Sequence, residues 1–356
     1  MWRMMTEDSK KKIIEFAGLT YNMLFRHEYD IELEFYITNR CNLSCKSCYM
    51  NASPDCPDDQ IHISDIKKII RAFKKVPNFQ DKIRISGGEA SIIGARKLGN
   101  ILQSVINMGT SPQLNTNMAW IQDKHKSAEM LKMLSSLKVP KVITYNYEGE
   151  IQQYMEKLAH ELDITTEPAK RKKLFNQKFK QAYPEIPVLA LCTSVDNLLH
   201  PAESAEWFKQ MIKIISKSKK LQNNLIFGLI TLTMDWFEKE ILQDPEMNCS
   251  DFNQTGSRFN FKCHGQKIMG ARHDFYDPKT LIDAESMKDI IYKSVNNYCY
   301  ELVLHFYPDK TIGFEDFCLR SIARVPYLTE KGNMKSWNRL RQEMFSKLVE
   351  EYAERI

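Results

Sequence analysis

No hydrophobic run in the chain is long enough to cross a membrane. The least polar stretch, Leu225 to Met234, is about half of what a span requires. Met1 to Asp30 carries Lys10, Lys11 and Lys12 but no apolar stretch of signal-peptide length, so a cytoplasmic protein with no membrane partner is expected. Neither sign of charge dominates. Lys and Arg number 50 against 45 Asp and Glu, and the resulting +5 is too mild to call for nucleic acid. There is no low-complexity segment and no disulfide framework: nine cysteines in 356 residues are too few, and the cytosol would keep them reduced. What the chain does have is 43% hydrophobic residues, 11% aromatic, enough to fill a sizeable core and to exclude wholesale disorder. Its length suits one large domain, or a barrel with an accessory domain.

Hydrophobic spacing sets out the order of elements. A leading helix over residues 8 to 25 places Ile13, Phe16, Tyr21 and Leu24 at helical intervals. Ile31 to Arg40 alternates Ile31, Leu33, Phe35 and Ile37 and reads as a strand; a cysteine-rich loop follows, then an amphipathic helix after Ser64. Further strands are expected at Lys82 to Ile85, Gln113 to Asn117, Lys141 to Tyr145, Pro187 to Val195 and Asn224 to Met234. Helical stretches separate them, including a long polar one from about Glu148 to Lys180. Strand and helix alternating six times predict parallel β/α units with right-handed crossovers. The expected fold is therefore α/β, a partial (β/α)6 TIM-like barrel over residues 31–240, preceded by a helical segment at 1–30. Residues 241–356 are expected to form an α+β cap over the substrate region. That part holds an aromatic and turn-rich segment, a hairpin from Tyr300 to Phe314, and a final helix with Trp337, Leu340, Met344, Leu348 and Tyr352 on one face.

The cysteines are unevenly placed. Cys41, Cys45 and Cys48 fall within eight residues, in the segment CNLSCKSC just after the first strand. Random placement of nine cysteines would give that spacing roughly 0.006 times per chain. In a parallel barrel this loop lies at the C-terminal ends of the strands, where chemistry gathers. Three thiolates on one loop can hold three corners of an iron–sulfur cubane and leave the fourth iron open. Zinc would accept the same thiolates but takes four protein ligands when structural, with Cys56 or His62 as the candidate fourth. The zinc alternative is a cysteine-loop binding module for nucleic acid or protein, without radical chemistry.

CNLSCKSC, with its C-x3-C-x2-C spacing, resembles the radical S-adenosylmethionine (radical SAM) enzymes. The resemblance is supported by Ser86-Gly87-Gly88-Glu89 closing the second strand and Asn115-Thr116-Asn117 closing the third, and it covers about residues 31 to 235. It implies that Cys41, Cys45 and Cys48 hold a [4Fe–4S] cluster whose open iron binds S-adenosylmethionine. Gly87 and Gly88 would let backbone approach the methionine moiety, and Glu89 would set a carboxylate near its ammonium. Thr116 and Asn117 would make polar contacts to the ribose or methionine end. Ser194 and Asp196, closing the fifth strand, are cofactor or substrate candidates with His200, although Asp196-Asn197 also reads as a plain turn. The position before the third cysteine, commonly aromatic in the family, is Ser47 here, which leaves Tyr49 or Tyr36 to pack on adenine.

The implied activity is that of an oxidoreductase-like radical enzyme. It would cleave S-adenosylmethionine reductively to a 5′-deoxyadenosyl radical and take hydrogen from a ribosomally made peptide or a small metabolite. A one-electron donor such as flavodoxin or ferredoxin would be its partner. Cys249, Cys263, Cys299 and Cys318 are the residues available to a second iron–sulfur cluster, but they lack the C-x2-C-x5-C run of the family's auxiliary sites, and unpaired thiols are the commoner outcome. Cys192, Cys263 or Cys318 could return a hydrogen atom to a substrate radical. The basic run Lys170 to Lys173, with Lys178 and Lys180, could bind an acidic peptide or RNA, but reads first as a solvated helix face.

Overall fold

The computed structural model describes residues 5–26, 30–45, 48, 50–142, 156–162, 174–175, 177–178, 186–194, 201–231, 234–255, 258–272, 283–288, 301–314 and 324–356. Among them the helices bury one apolar face each, as the spacing requires. Helix α1 (Glu7–Tyr21) starts at Thr6, whose side chain accepts from the Ser9 N–H, and buries Ile13 and Phe16. Helix α2 (Ile63–Phe73) buries Ile66, Ile69, Ile70 and Phe73, and α3 (Ala95–Asn107) buries Leu98, Ile101, Leu102, Val105 and Ile106. Each such side chain contributes about 1.5–3 kcal/mol on leaving water. Helix α4 (Lys124–Ser136) is capped by Asp123, which accepts from the N–H groups of His125 and Lys126.

These helices flank an eleven-stranded sheet ordered β13-β12-β11-β1-β2-β3-β6-β7-β10-β9-β8. Strands β1 (Asp30–Tyr36), β2 (Phe79–Ser86), β3 (Ser111–Thr116), β6 (Leu189–Ser194) and β7 (Leu225–Thr231) are five of the expected barrel strands, hydrogen-bonded in parallel in that order. The architecture is the expected α/β one, with these parallel strands at the centre of the sheet. Outward residues Leu33, Phe35, Ile83, Ile85, Leu114, Leu189 and Leu191 are buried. Phe35 stacks on Phe306 at 5.3 Å, and Phe73 of α2 meets Phe306 edge-on at 5.9 Å.

Three features differ from the reading of the sequence. Lys141–Val142 (β4) pairs with Ile186–Pro187 (β5) in a separate two-stranded ladder, and β6 takes the place beside β3. A central parallel strand is covered on its outer side by helices. Leu189 and Leu191 meet that need, whereas Lys141 is exposed.

The region after residue 241 also joins the sheet at both ends. β10 (Gln266–Arg272) runs parallel to β7, and β11 (Glu301–Phe306) runs parallel to β1. Antiparallel β9 (Arg258–Cys263) and β8 (Cys249–Thr255) extend one edge, while β12 (Thr311–Phe314) and β13 (Val325–Pro326) extend the other. The expected hairpin is β11–β12. The last helix, Trp337–Arg355, buries Leu340, Met344, Leu348 and Tyr352 as its stripe requires, with Tyr352 stacked on Phe16 at 4.0 Å.

Finally, Cys249 and Cys263 stand opposite each other in the β8–β9 register and are joined as a disulfide. They were expected as free thiols or auxiliary-cluster ligands. Side chains facing each other across an antiparallel pair lie close enough to bond, a proximity that sequence spacing does not reveal. Among the described residues no helix is long and apolar enough to cross a membrane.

Candidate functional site

Beyond Tyr36 the chain leaves β1 and is stitched to the end of β2. Ile37 N–H donates to the Ser86 carbonyl (2.8 Å), Gly88 N–H to that of Thr38 (2.8 Å), and Glu89 N–H to that of Arg40 (3.0 Å). The approach leaves no room for side chains on the two glycines. A Cβ on Gly88 would lie 2.2 Å from the Arg40 carbonyl oxygen, and one on Gly87, at φ +129°, would lie 2.5 Å from that of Thr38. The close approach that demands glycine here is therefore to the backbone leading into the cysteine loop.

Glu89 is 2% exposed and ties three segments together. Its Oε1 accepts from Ser91 N–H (3.0 Å) and from the Thr116 hydroxyl (2.7 Å), and its Oε2 accepts from Asn117 N–H (2.6 Å). Burial pushes its carboxyl pKa above the ordinary value, against the lowering effect of those donors. The Thr116 oxygen also accepts from Met118 N–H and Trp120 Nε1–H, both at 3.1 Å. Met118 adopts a left-handed φ of 64°, turning the chain so that Asn117 reaches back to the cysteine loop. The Asn117 Nδ2 group donates to Asn42 Oδ1 (2.8 Å) and Cys41 Sγ (3.8 Å).

Cys41 is buried, while Cys45 and Cys48 are half-buried. Burial pushes the Cys41 thiol up to about 11. Backbone N–H groups already point at two of the sulfurs: Leu43 N–H donates to Cys41 Sγ and Ala52 N–H to Cys48 Sγ, each at 3.4 Å. Between the second and third cysteines, Cys48 N–H donates to the Cys45 carbonyl (3.2 Å). Soft sulfur donors with N–H groups aimed at them fit an iron–sulfur cluster, whose negative charge such donors stabilise. Among the described residues no three Cys, His, Asp or Glu side chains are already gathered around a metal-sized point. A bound cluster would have to draw the trio together. The candidate fourth zinc ligands are engaged locally. The Cys56 thiol donates to the Asn51 carbonyl (3.6 Å), and His62 Nδ1 pairs with Ser64 Oγ (2.7 Å) at the start of α2.

The remaining candidates are dispersed. Tyr36 is fully buried, its hydroxyl sharing a 2.6 Å hydrogen bond with His305 Nδ1, so it does not offer a free ring to adenine. Ser47 and Tyr49 lie outside the described residues, as do Asp196, His200, Cys299, Cys318 and the basic run Lys170 to Lys173. Ser194 is the last residue of β6; its side chain is outside the description. Of the proposed hydrogen donors, Cys263 is consumed by its disulfide, whereas Cys192 is free on β6, where burial pushes its thiol up to about 12.

One group escaped the sequence reading. The residues of β1 between the apolar ones, Glu32, Glu34 and Tyr36, face the inner side of the sheet together with Lys82, Arg84, Gln113, Asn115 and Cys192 of the neighbouring strands. Glu32 is held by Lys82 (3.0 Å) and Arg84 (2.9 Å), and Glu34 lies 3.5 Å from His305 Nε2. Gln113 Nε2 donates to Asn115 Oδ1 (2.9 Å). Packed barrels usually fill this space with branched aliphatics; here it is polar, and the inward side chains of β2, β3 and β6 remain partly accessible. The signal was present as the polar half of the β1 alternation.

No protein-family profile matches the chain. A 79-residue segment is 29% identical to L-lysine 2,3-aminomutase of Fusobacterium nucleatum subsp. nucleatum, covering 22% of this chain and 18% of that enzyme's length. Among solved structures, Streptococcus suis SuiB bound to precursor peptide SuiA aligns at a TM-score of 0.38 and 10% identity, over 94% of this chain and 70% of that one. SuiB bound to S-adenosylmethionine aligns at a TM-score of 0.30 and 12% identity, over 80% of this chain and 60% of that one. Overlaps this loose decide nothing about the site.

Proposed function

We propose that this chain is a radical SAM enzyme that carries a [4Fe–4S] cluster on Cys41, Cys45 and Cys48 and cleaves S-adenosylmethionine reductively to act on a polar substrate. The observation that carries the reading is the cysteine trio on the loop after β1, with N–H groups of Leu43, Ala52 and Asn117 already directed at its sulfurs. When bound there, the cluster and S-adenosylmethionine would supply one-electron reductive chemistry capable of taking hydrogen from the substrate.

The chain's own residues bind, orient and shield. Gly87 and Gly88 would hold the methionine end indirectly, by seating the cysteine loop against the end of β2, and Glu89 would fix the end of β3 to the same place. Thr116 and Ser194 are the last residues of β3 and β6 and would contribute polar groups at that end of the sheet, with Asp196 two positions further along the sequence. The inner face of the sheet, with Glu34, Arg84, Gln113, Asn115 and Cys192, favours a substrate rich in hydrogen-bonding groups, a peptide or a polar small metabolite. Such a site has to exclude bulk water and hold the target in near-contact, because the radical would otherwise attack the protein. A flavodoxin- or ferredoxin-type donor would supply the electron.

The test is anaerobic reconstitution with iron and sulfide, reduction, and assay for 5′-deoxyadenosine. The expected result is about four irons per chain and release of deoxyadenosine on reduction. Tightly bound zinc with no deoxyadenosine would replace this reading with the cysteine-loop binding module.

A further inference from the structure

We infer that Asn117 is a positioning residue that sets the electron affinity of the cluster through Cys41, instead of contacting the nucleotide. The inference rests on the reading of Cys41 as a cluster ligand. Its basis is the way the backbone N–H and both polar atoms of the Asn117 side chain are committed. The backbone N–H donates to Glu89 Oε2 (2.6 Å) and the side-chain Oδ1 accepts from Ala119 N–H (3.0 Å). With Oδ1 pinned by the turn at Met118, the amide can be oriented in only one way. Its two Nδ2 hydrogens then face Asn42 Oδ1 (2.8 Å) and Cys41 Sγ (3.8 Å). Asn117 is 7% exposed and Cys41 is likewise 7% exposed, so little water competes for that sulfur.

Reduction adds negative charge to a cluster and its sulfur ligands. A buried donor at one ligand sulfur stabilises the reduced form more than the oxidised one and raises the reduction potential. Any negative charge on Glu89 acts in the opposite sense, and Asn117 is bonded to both that carboxyl and the sulfur.

The experiment compares reconstituted wild type with Asn117→Ala and Asn117→Asp. It reads iron content, the reduced-cluster EPR signal against mediators of known potential, and binding of S-adenosylmethionine. Asp keeps the acceptor for Ala119 N–H but replaces the donor beside Cys41 with an oxygen. The expected result is unchanged iron and a reduction equilibrium shifted about tenfold against the reduced form in Asn117→Ala, about 59 mV for one electron. Asn117→Asp should shift it further, and affinity for S-adenosylmethionine should stay within about threefold. An unmoved potential with iron retained overturns the inference, most plainly if nucleotide affinity falls instead. Loss of iron from both variants while the apoproteins unfold normally also overturns it, since Asn117 would then be needed for loading. A wild-type chain that takes up no iron removes the parent reading and this inference together, so the two failures are distinguishable.

Discussion

Replacing Gly88 with alanine should unfasten the cysteine loop from the end of β2. The new methyl carbon would lie 2.2 Å from the Arg40 carbonyl oxygen, 2.6 Å from its carbon and 2.9 Å from the Asn39 oxygen, where ordinary contact begins at 3.4 Å. All three obstacles are backbone, so no side chain can swing aside, and the two segments must separate by about 1 Å. That movement stretches the Gly88–Thr38 and Glu89–Arg40 hydrogen bonds, 2.8 and 3.0 Å in the wild type, beyond bonding range. Two lost bonds at about 1 kcal/mol each, with an overpacking cost of about 1–3 kcal/mol, give about 3–5 kcal/mol of destabilisation.

Urea unfolding of the apoprotein would read this as a lower midpoint at unchanged slope. Iron uptake should fall as well, because Cys41 directly follows Arg40. Gly18→Ala is the control. Nothing lies within 4 Å of its added carbon, and it sits in α1, so a gain of up to about 1 kcal/mol is expected. A Gly88→Ala protein within 1 kcal/mol of wild type that loads iron fully would refute the stitching argument.

Cys45→Ala should abolish deoxyadenosine formation; turnover at the wild-type rate would remove Cys45 from the ligand set. Glu89→Gln should cost about 1–3 kcal/mol, because the amide oxygen can serve Ser91 and Thr116 while its NH2 faces the Asn117 N–H. Burial raises the Glu89 pKa, so the native state keeps this proton to higher pH than the unfolded chain does. Wild-type stability should therefore fall as pH rises from the ordinary carboxyl range through the raised value, and the Gln variant should lose that slope. A difference between the two proteins that is constant with pH would contradict the assignment. Opening the Cys249–Cys263 bridge, which spans 14 residues, should lower stability by about 3 kcal/mol. Cys249→Ser and reductant-treated wild type should then unfold alike, and an unchanged midpoint in both would count against the bridge. Cys192, although partly accessible, should resist iodoacetamide at pH 8 in the folded protein, since a thiol pushed up to about 12 is thiolate in about one molecule in ten thousand; labelling at the rate of an ordinary thiol would contradict its raised pKa.

Much of the scaffold was legible because it is encoded over short distances. Helical intervals in the leading and final helices named residues that are buried, Ile13, Phe16, Leu24, Leu340, Met344, Leu348 and Tyr352, and the β1 alternation named its outer face. The cysteine spacing and the Gly-Gly-Glu segment likewise lie within a few residues of each other, and both fall on the loops where the strands end. The inner face was less legible. Glu32 and Glu34 look like ordinary solvated positions until β2 and β11 close beside them with Lys82, Arg84 and His305.

The sequence alone determined the order of the first strands and helices, the apolar faces of β1 and the final helix, and where three thiolates cluster, since burial periodicity and motif spacing are local properties of the chain. Only the tertiary structure decided that Tyr36 meets His305, 269 positions away, that Cys249 finds Cys263, and that Glu89 serves Thr116 and Asn117 instead of standing free. Those partners are chosen by strand order and register. Strand order and register in turn follow from how all the apolar faces are buried at once, which no window of sequence contains.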